Sequence, residues 1–409
     1  MFRCRICQNF KKKNVADLGY SALANSYLKK NDLKKKEISY ELKTVVCENC
    51  WLVQTTSNLN PKIIFTNEYA YLSSVSRSLI DHSKKFSKKI VNRFKIKHSS
   101  KVLELACNDG YLLQFLNKIS NCLGVEPTGI AAKIAKKKGI NVLHDFFSLK
   151  LAKKIVKRYQ KQDFVIANNV IAHMDNVNDF FSGIKYVLSD KGVGIVEFHY
   201  VLNLIEKKQF DIIYHEHYSY YSILSLNFLL KKHNLKVFDI ENLKTQGGSL
   251  RVYFQHDSGL ISMTRRCKKM IELEKKKKLD KYNFYNNYQK TLEKIKKNLL
   301  LFLNNAKKNK KKVIAYGAAA KGNTLLNFSN IDSKLINFVV DNNKVKQNKF
   351  LPGSKIKILS VNSIKRFKPD YILILPWNIK QEIKKQLSFV KKWKCKFVVA
   401  IPKLQIEQK

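Results

Sequence analysis

The sequence predicts an α/β chain in three parts: a small cysteine-bearing unit, a central unit of alternating strands and helices, and a second α/β unit. Three observations carry that prediction. Two CxxC pairs, Cys4/Cys7 and Cys47/Cys50, stand close to the start. From residue 101, short apolar runs alternate with amphipathic ones: VLEL, YLLQFLNKI, CLGVE, GIAAKIAKKKG, INVLH, DFVIANNV and GVGIVEF. The rhythm returns late in the chain with VIAYG, INFVVD, YILILP and KFVVAI. Short apolar runs bounded by turn residues read as buried strands, and their alternation with helices predicts a parallel sheet covered on both faces. At 409 residues the chain is long enough for two or three domains. The expected boundaries are 1–65, 66–263 and 264–409.

The four cysteines come first. Two matching CxxC knuckles read as one tetrahedral zinc site, because each places two thiolates at the ~2.3 Å reach that zinc needs. Four thiolates leave no open coordination position, so such a zinc is structural. A redox pair is the competing reading. Cys107, Cys122, Cys267 and Cys395 lack spacing partners and read as small buried residues. After the cysteines, SRSLIDHSKKFSKKIVNRF has apolar residues at helical spacing, and Lys-rich helical runs fill residues 264–310.

Charge and hydropathy bound the function. The formal net charge is +47, with 78 basic residues spread along the whole chain, nearly all of them Lys. Base readout favours Arg with its planar fork, so the Lys excess reads as solvated surface, and no nucleic-acid partner is expected. A zinc-ribbon RNA-binding protein or RNA methyltransferase is the rival reading. No run of eighteen apolar residues occurs and the N-terminus lacks an apolar signal core, so a cytoplasmic protein without membrane insertion is expected.

KVLELACNDGYLLQ is strand, tight turn and helix, but its turn has one glycine, Gly110, and so lacks the GxGxxG that cradles a pyrophosphate. Acids suit a cationic ligand without phosphate, such as S-adenosylmethionine (SAM). Glu104, Asn108 and Asp109 surround that turn. Glu126 ends the next strand, where an acid reaches ribose hydroxyls. Asp145 follows the third strand, and Asn168 and Asn169 end the fourth. Ligands of doubly wound sheets bind at these carboxyl ends.

DIIYHEHYSYY at 211–221 packs two histidines around a glutamate. The spacing excludes HExxH, whose histidines stand four apart on one helix face. On a strand His215 and His217 would point one way and Glu216 the other. Near the end, GAAAKGNT offers Lys321, Asn323 and Thr324 at a Gly-rich turn, although the P-loop spacing is absent. QGGSLRV adds Gly247, Gly248, Ser249 and Arg251, whose fork can pair with phosphate. Trp377 and Asn378 follow the strand YILILP. His144, His199 and His233 read as ordinary histidines.

In order, CxxC…CxxC, ELACNDGYLL, GVEPTGIAAKIAKKKGINVLHDFF, NNVIAH, IYHEHYSYYS, QGGSLRVY and GAAAKGNTLLNF resemble the family of SAM-dependent sugar C-methyltransferases acting on nucleotide-linked keto-deoxysugars. The resemblance spans nearly the whole chain. It implies an N-terminal zinc-binding domain, a central SAM-binding Rossmann-like domain and a C-terminal α/β Rossmann-like domain that helps bind the nucleotide-sugar. It carries the acid–base cluster onto Tyr214, Glu216 and His217, with His217 the favoured base, His173 the second candidate, and Tyr71 over SAM and sugar. Methylation at C3 of a nucleoside-diphosphate 4-keto-deoxysugar, through an enolate, is the activity implied. Ala106 departs from the glycine that many methyltransferases carry in this turn. A monomer or weak dimer is expected.

Overall fold

The computed structural model describes residues 2–66, Tyr69 and residues 71–407. An N-terminal sheet is built from β1 (Lys12–Ser21), β2 (Tyr40–Cys47) and β3 (Val53–Thr55). The central sheet takes β4 (Lys101–Leu105), β5 (Asn121–Val125), β6 (Val142–Leu143), β7 (Gln162–Asn168) and β8 (Leu188–His199). A two-residue strand, β9 (Ser219–Tyr220), leaves the central unit and pairs with β3, so the N-terminal sheet runs β1-β2-β3-β9. The hairpin β10 (Leu235–Leu243) and β11 (Ser249–His256) then closes the central sheet in the order β10-β11-β8-β7-β4-β5-β6. The last sheet uses β12 (Val313–Tyr316), β13 (Val339–Val340), β14 (Ile358–Leu359), β15 (Tyr371–Ile374), β16 (Lys396–Val399) and β17 (Gln405–Glu407), ordered β14-β13-β12-β15-β16-β17.

The α/β class expected from sequence is the class observed, with one difference. Strands β4 to β8 are parallel, but β11 joins β8 and β10 joins β11 antiparallel, so the central sheet is mixed. A hairpin needs no crossover helix, and its strands therefore fall outside the strand–helix rhythm. In both α/β sheets the strand order reverses beside the first strand, between β4 and β7 and between β12 and β15. Those reversals open crevices at the carboxyl ends of the strands.

The helix Arg77–Phe94 starts on Ser76, whose hydroxyl accepts from the Leu79 amide, and buries Ser83, Phe86, Ser87 and Ile90 at i, i+3, i+4, i+7 spacing. Its charged face is bound to the hairpin: Lys89 pairs with Glu241 at 2.8 Å and Arg93 with the buried Asp239 at 2.5 Å. The long helix Tyr288–Lys308 buries Tyr288, Leu292, Ile295, Leu299, Leu303 and Ala306 along one stripe. Each such fully buried large apolar side chain contributes about 1.5–3 kcal/mol. No helix among the described residues is long and apolar enough to cross a membrane.

Candidate active site

A cavity of about 490 Å³ opens where β4 and β7 diverge, within the size range of small-molecule sites. Asn108, Glu126, Asp145, Asn168 and Asn169 line it, as do Tyr71 and His173. The sequence grouped Glu104, Asp109 and Gly110 with them, but the structure sets these three beneath the loop. Glu104 is 1% exposed with both carboxylate oxygens unpartnered, and burial followed by the Glu126 and Asp109 charges drives it well above the usual carboxylate range. Asp109 is fully buried and accepts from the Ser74 amide at 3.1 Å and from the Ser74 hydroxyl. Gly110 has φ +75, and a Cβ there would stand 2.3 Å from Ile140 Cδ1.

The loop backbone explains the residue choice. Ala106 and Asn108 take φ 51 and 49, a region that costs a non-glycine residue about 1–2 kcal/mol. Asn tolerates it; Ala106 does so with strain, which gives the glycine that many methyltransferases carry at that point a physical reason. Asn108 anchors the loop: its amide donates to Glu126 Oε2 at 2.8 Å and its Oδ1 accepts from Ser73 N at 2.8 Å. Glu126 Oε1 accepts from the Thr128 amide at 2.8 Å. The buried Oδ1 atoms of Asn168 and Asn169 and Nδ1 of His173 have no protein partner, so the cavity wall carries polar atoms that fit a polar ligand such as SAM.

Tyr214, Glu216 and His217 stand behind this wall, in a turn rather than a strand. His217 is 3% exposed. Its Nδ1 lies 2.8 Å from the Ile212 carbonyl and so carries the proton; its Nε2, 2.8 Å from the Tyr214 hydroxyl, accepts. The His173 ring centroid is 4.7 Å from that of His217, and His199 is 5.5 Å away on the other side. Burial holds all three imidazoles below their ordinary range, His173 at about 4 and His199 at about 3, and the trio's proximity lowers His217 further. His199, read as ordinary from sequence, thus belongs to the cluster. Its place at the carboxyl end of β8 was the available signal.

Among the described residues, the Glu216 carboxylate bonds no imidazole. Its Oε1 accepts from Asn25 Nδ2 and its Oε2 from the Tyr69 hydroxyl, each at 2.6 Å. His215 is bonded to the Tyr40 carbonyl at 3.2 Å, with its ring edge-on to Tyr40.

The expected phosphate residues separate. Lys321 is 7% exposed at the start of the helix Ala320–Phe328; its Nζ donates to the Gln246 carbonyl at 3.3 Å and lies 5.4 Å over the Trp377 ring. Gln246 itself lines the cavity, so Lys321 sits at the seam between the sheets. Trp377 Nε1 donates to Asp211 at 2.7 Å. Asn323 and Thr324 instead fasten that helix, donating to the Ala24 and Ile213 carbonyls at 2.5 and 3.0 Å. Gly248 closes a turn at φ +118, and the buried Ser249 hydroxyl donates to Thr245 O at 3.3 Å. Arg251 is a correction. Its Nη2 donates to Glu197 at 2.7 Å, its Nη1 is 3.5 Å from Glu241, and its guanidinium lies 3.7 Å over the Phe86 ring. Both Nη groups of the fork are engaged by carboxylates under the helix Arg77–Phe94, and the residue is 2% exposed, which takes the guanidinium out of reach of a phosphate in the cavity.

The sulfurs of Cys4, Cys7, Cys47 and Cys50 lie within 4.8 Å of one another, with Cys4–Cys50 at 3.4 Å and Cys7–Cys47 at 3.5 Å. Four convergent thiols fit tetrahedral zinc, and they stand apart from the cavity.

Three family models match the chain in succession: a zinc binding domain at residues 4–65, a methyltransferase domain at 75–240 and a C-methyltransferase C-terminal domain at 244–402. The C-methyltransferase NovU of Streptomyces niveus is 28% identical over 405 residues, covering 98% of this chain and 96% of that protein. Among solved structures, magnesium protoporphyrin IX methyltransferase from Synechocystis, with bound SAH, is 13% identical at TM-score 0.35, covering 43% of this chain and 82% of that one. The PH0226 protein of Pyrococcus horikoshii is 15% identical at TM-score 0.37, covering 46% of this chain and 95% of that one. The three family models and the full-length relative together make the chain a SAM-dependent C-methyltransferase with an N-terminal zinc-binding domain, with SAM and zinc as its cofactors.

Proposed function

We propose that the enzyme methylates C3 of a nucleoside-diphosphate 4-keto-deoxysugar held between the units 66–263 and 264–409. The supporting observation is the trio of uncharged histidines, His173 in the cavity wall with His199 and His217 behind it, gathered with Tyr214. A carbon bearing hydrogen is not a nucleophile until its proton is removed. Beside a ketone that removal is feasible, since the remaining electron pair spreads onto the carbonyl oxygen. SAM, when bound, supplies the electrophilic methyl group.

His217 is assigned as the base. Anchoring its Nδ1 proton on Ile212 leaves the Nε2 lone pair as acceptor. The Tyr214 hydroxyl bonds that lone pair; in turnover it passes its hydrogen bond to the substrate oxygen, where the enolate charge develops. His173, whose Nδ1 is free beside the cavity, is the alternative base. Lys321 receives the diphosphate. Its cation lowers His217 and His199, so phosphate beside Lys321 offsets that effect and brings the base toward working pH.

The test is mass spectrometry in deuterated water, with SAM and a nucleoside-diphosphate 4-keto-6-deoxysugar. A product one methyl heavier, together with deuterium entering the sugar when SAM is omitted, is expected. Neither transfer nor exchange across several such sugars would remove the assignment.

A further inference from the structure

Glu216 takes Asn25 and Tyr69 onto one carboxylate, and the C-terminal unit reaches that carboxylate's surroundings through Tyr27. Asn25 lies in the turn between β1 and β2, 191 residues away in sequence, and donates from Nδ2 to Oε1 at 2.6 Å. Tyr69 takes Oε2 at 2.6 Å. The Tyr27 hydroxyl shares its hydrogen between Asn25 Oδ1 at 3.1 Å and the Ala318 carbonyl of the C-terminal unit at 2.6 Å. Lys346 donates to that same carbonyl at 2.8 Å and lies 5.1 Å over the Tyr27 ring. The carboxylate is 3% exposed, so these donors replace water around it.

The two bonds to Glu216 have one direction of proton. The Asn25 amide can only donate through Nδ2, and the Tyr69 phenol, held neutral by burial and the Glu216 charge, donates as well. Both bonds exist for the ionised carboxylate; a protonated Glu216 would lose at least one acceptor face. Burial pushes Glu216 upward, while Tyr69 and Asn25 pull it back. The other groups facing it are the Lys346 cation, the buried phenols of Tyr27, Tyr71, Tyr214 and Tyr218, and His173 beside the Glu216 backbone.

We propose that Asn25 is a positioning residue that holds Glu216 as a fixed, ionised carboxylate, making the cysteine-bearing unit part of the catalytic seam as well as a brace. This rests on the reading that Glu216 belongs to the catalytic cluster. Tyr27 extends the arrangement, tying Asn25 to the Ala318 turn beside Lys321.

The test uses the full-length, zinc-loaded protein. Asn25→Ala removes the donor, and Asn25→Asp replaces it with a second carboxyl of the same size. An infrared pH titration reads the protonated-carboxyl band of Glu216, identified by its loss in Glu216→Gln. In both variants the band should be half-formed about one pH unit or more above its wild-type position. The acid limb of kcat in Asn25→Ala should move up equally, with activity returning at higher pH. Tyr27→Phe, which keeps the ring, should move the band the same way by less. A band at its wild-type position in Asn25→Ala overturns the proposal, as does a fall in kcat equal at all pH values. Should Asn25→Ala lose zinc or aggregate, the band in Asn25→Asp and Tyr27→Phe decides in the same way. The infrared readout needs no sugar, so its failure is distinct from failure of the substrate assignment.

Discussion

The Tyr214 hydroxyl lies 2.8 Å from Nε2 of His217, with the two rings 4.0 Å apart. The imidazole's acceptor is thus aimed by one residue and its donor fixed by the Ile212 carbonyl. His217→Ala should lower kcat by about two decades or more, in line with general-base magnitudes. Tyr214→Phe should cost less, roughly one decade, since it removes the hydrogen-bonding hydroxyl and leaves the base. Calorimetry should find SAM affinity little changed in both. Full turnover in His217→Ala would move the base assignment to His173.

Protonation of the histidine cluster has a definite sign. His173 falls from 6.5 to about 4 in the folded protein because burial disfavours its charged form. The unfolded chain therefore binds a proton first as pH drops below 6.5, and the folded state loses stability from there down to about pH 4. Above pH 6.5 the residue contributes no such slope. Relative to wild type, His173→Gln should gain up to about 3 kcal/mol between pH 7 and pH 4. Urea midpoints measured across that range check it; a difference independent of pH would show that His173 keeps its ordinary pKa in the fold.

Arg251 offers a stability test. Burial alone would raise its partner Glu197, but the bonds and charges of His82 and Arg251 hold that carboxyl down at about 2. Arg251→Met should leave Glu197 with only His82 and Thr245, costing about 3–5 kcal/mol. Denaturant unfolding should report the loss, and KM for the nucleotide-sugar in the folded fraction should hardly change. A large rise in KM with normal stability would restore the phosphate role.

The cysteine cluster makes a prediction of a different kind. Cys47 is buried at the end of β2, inside the same core as Val46 and Leu52. Cys47→Ser should release zinc and unfold the N-terminal sheet, which a colorimetric zinc assay and limited proteolysis would report together. A zinc-free, protease-resistant and active variant would end the structural assignment.

What could be read from sequence was local. The CxxC pairs, the strand-end polar residues Asn108, Glu126, Asp145, Asn168 and Asn169, and the YHEH cluster each advertise themselves within a few positions. What escaped is set by chain pairings far apart. Arg251 meets His82 across 169 positions, and Asn25 meets Glu216 across 191; no periodicity encodes such a meeting. His199 was missed because a lone histidine closing a strand looks the same whether it faces a core or a cavity. Asn323 and Thr324 were misread for a related reason, since a Gly-rich turn leading into a helix positions side chains equally well for a ligand or for a neighbouring carbonyl.

Strand β9 has a consequence in time. Ser219 and Tyr220 supply the fourth strand of a sheet whose other members end at Thr55. A ribosome releases the cysteine knuckles long before it releases those two residues. The cysteine-bearing segment therefore waits, its β3 edge unpaired, until Ser219 and Tyr220 have emerged. The same two residues follow His217 by two and three positions, so the pairing that completes the cysteine-bearing sheet also sets the catalytic turn in place.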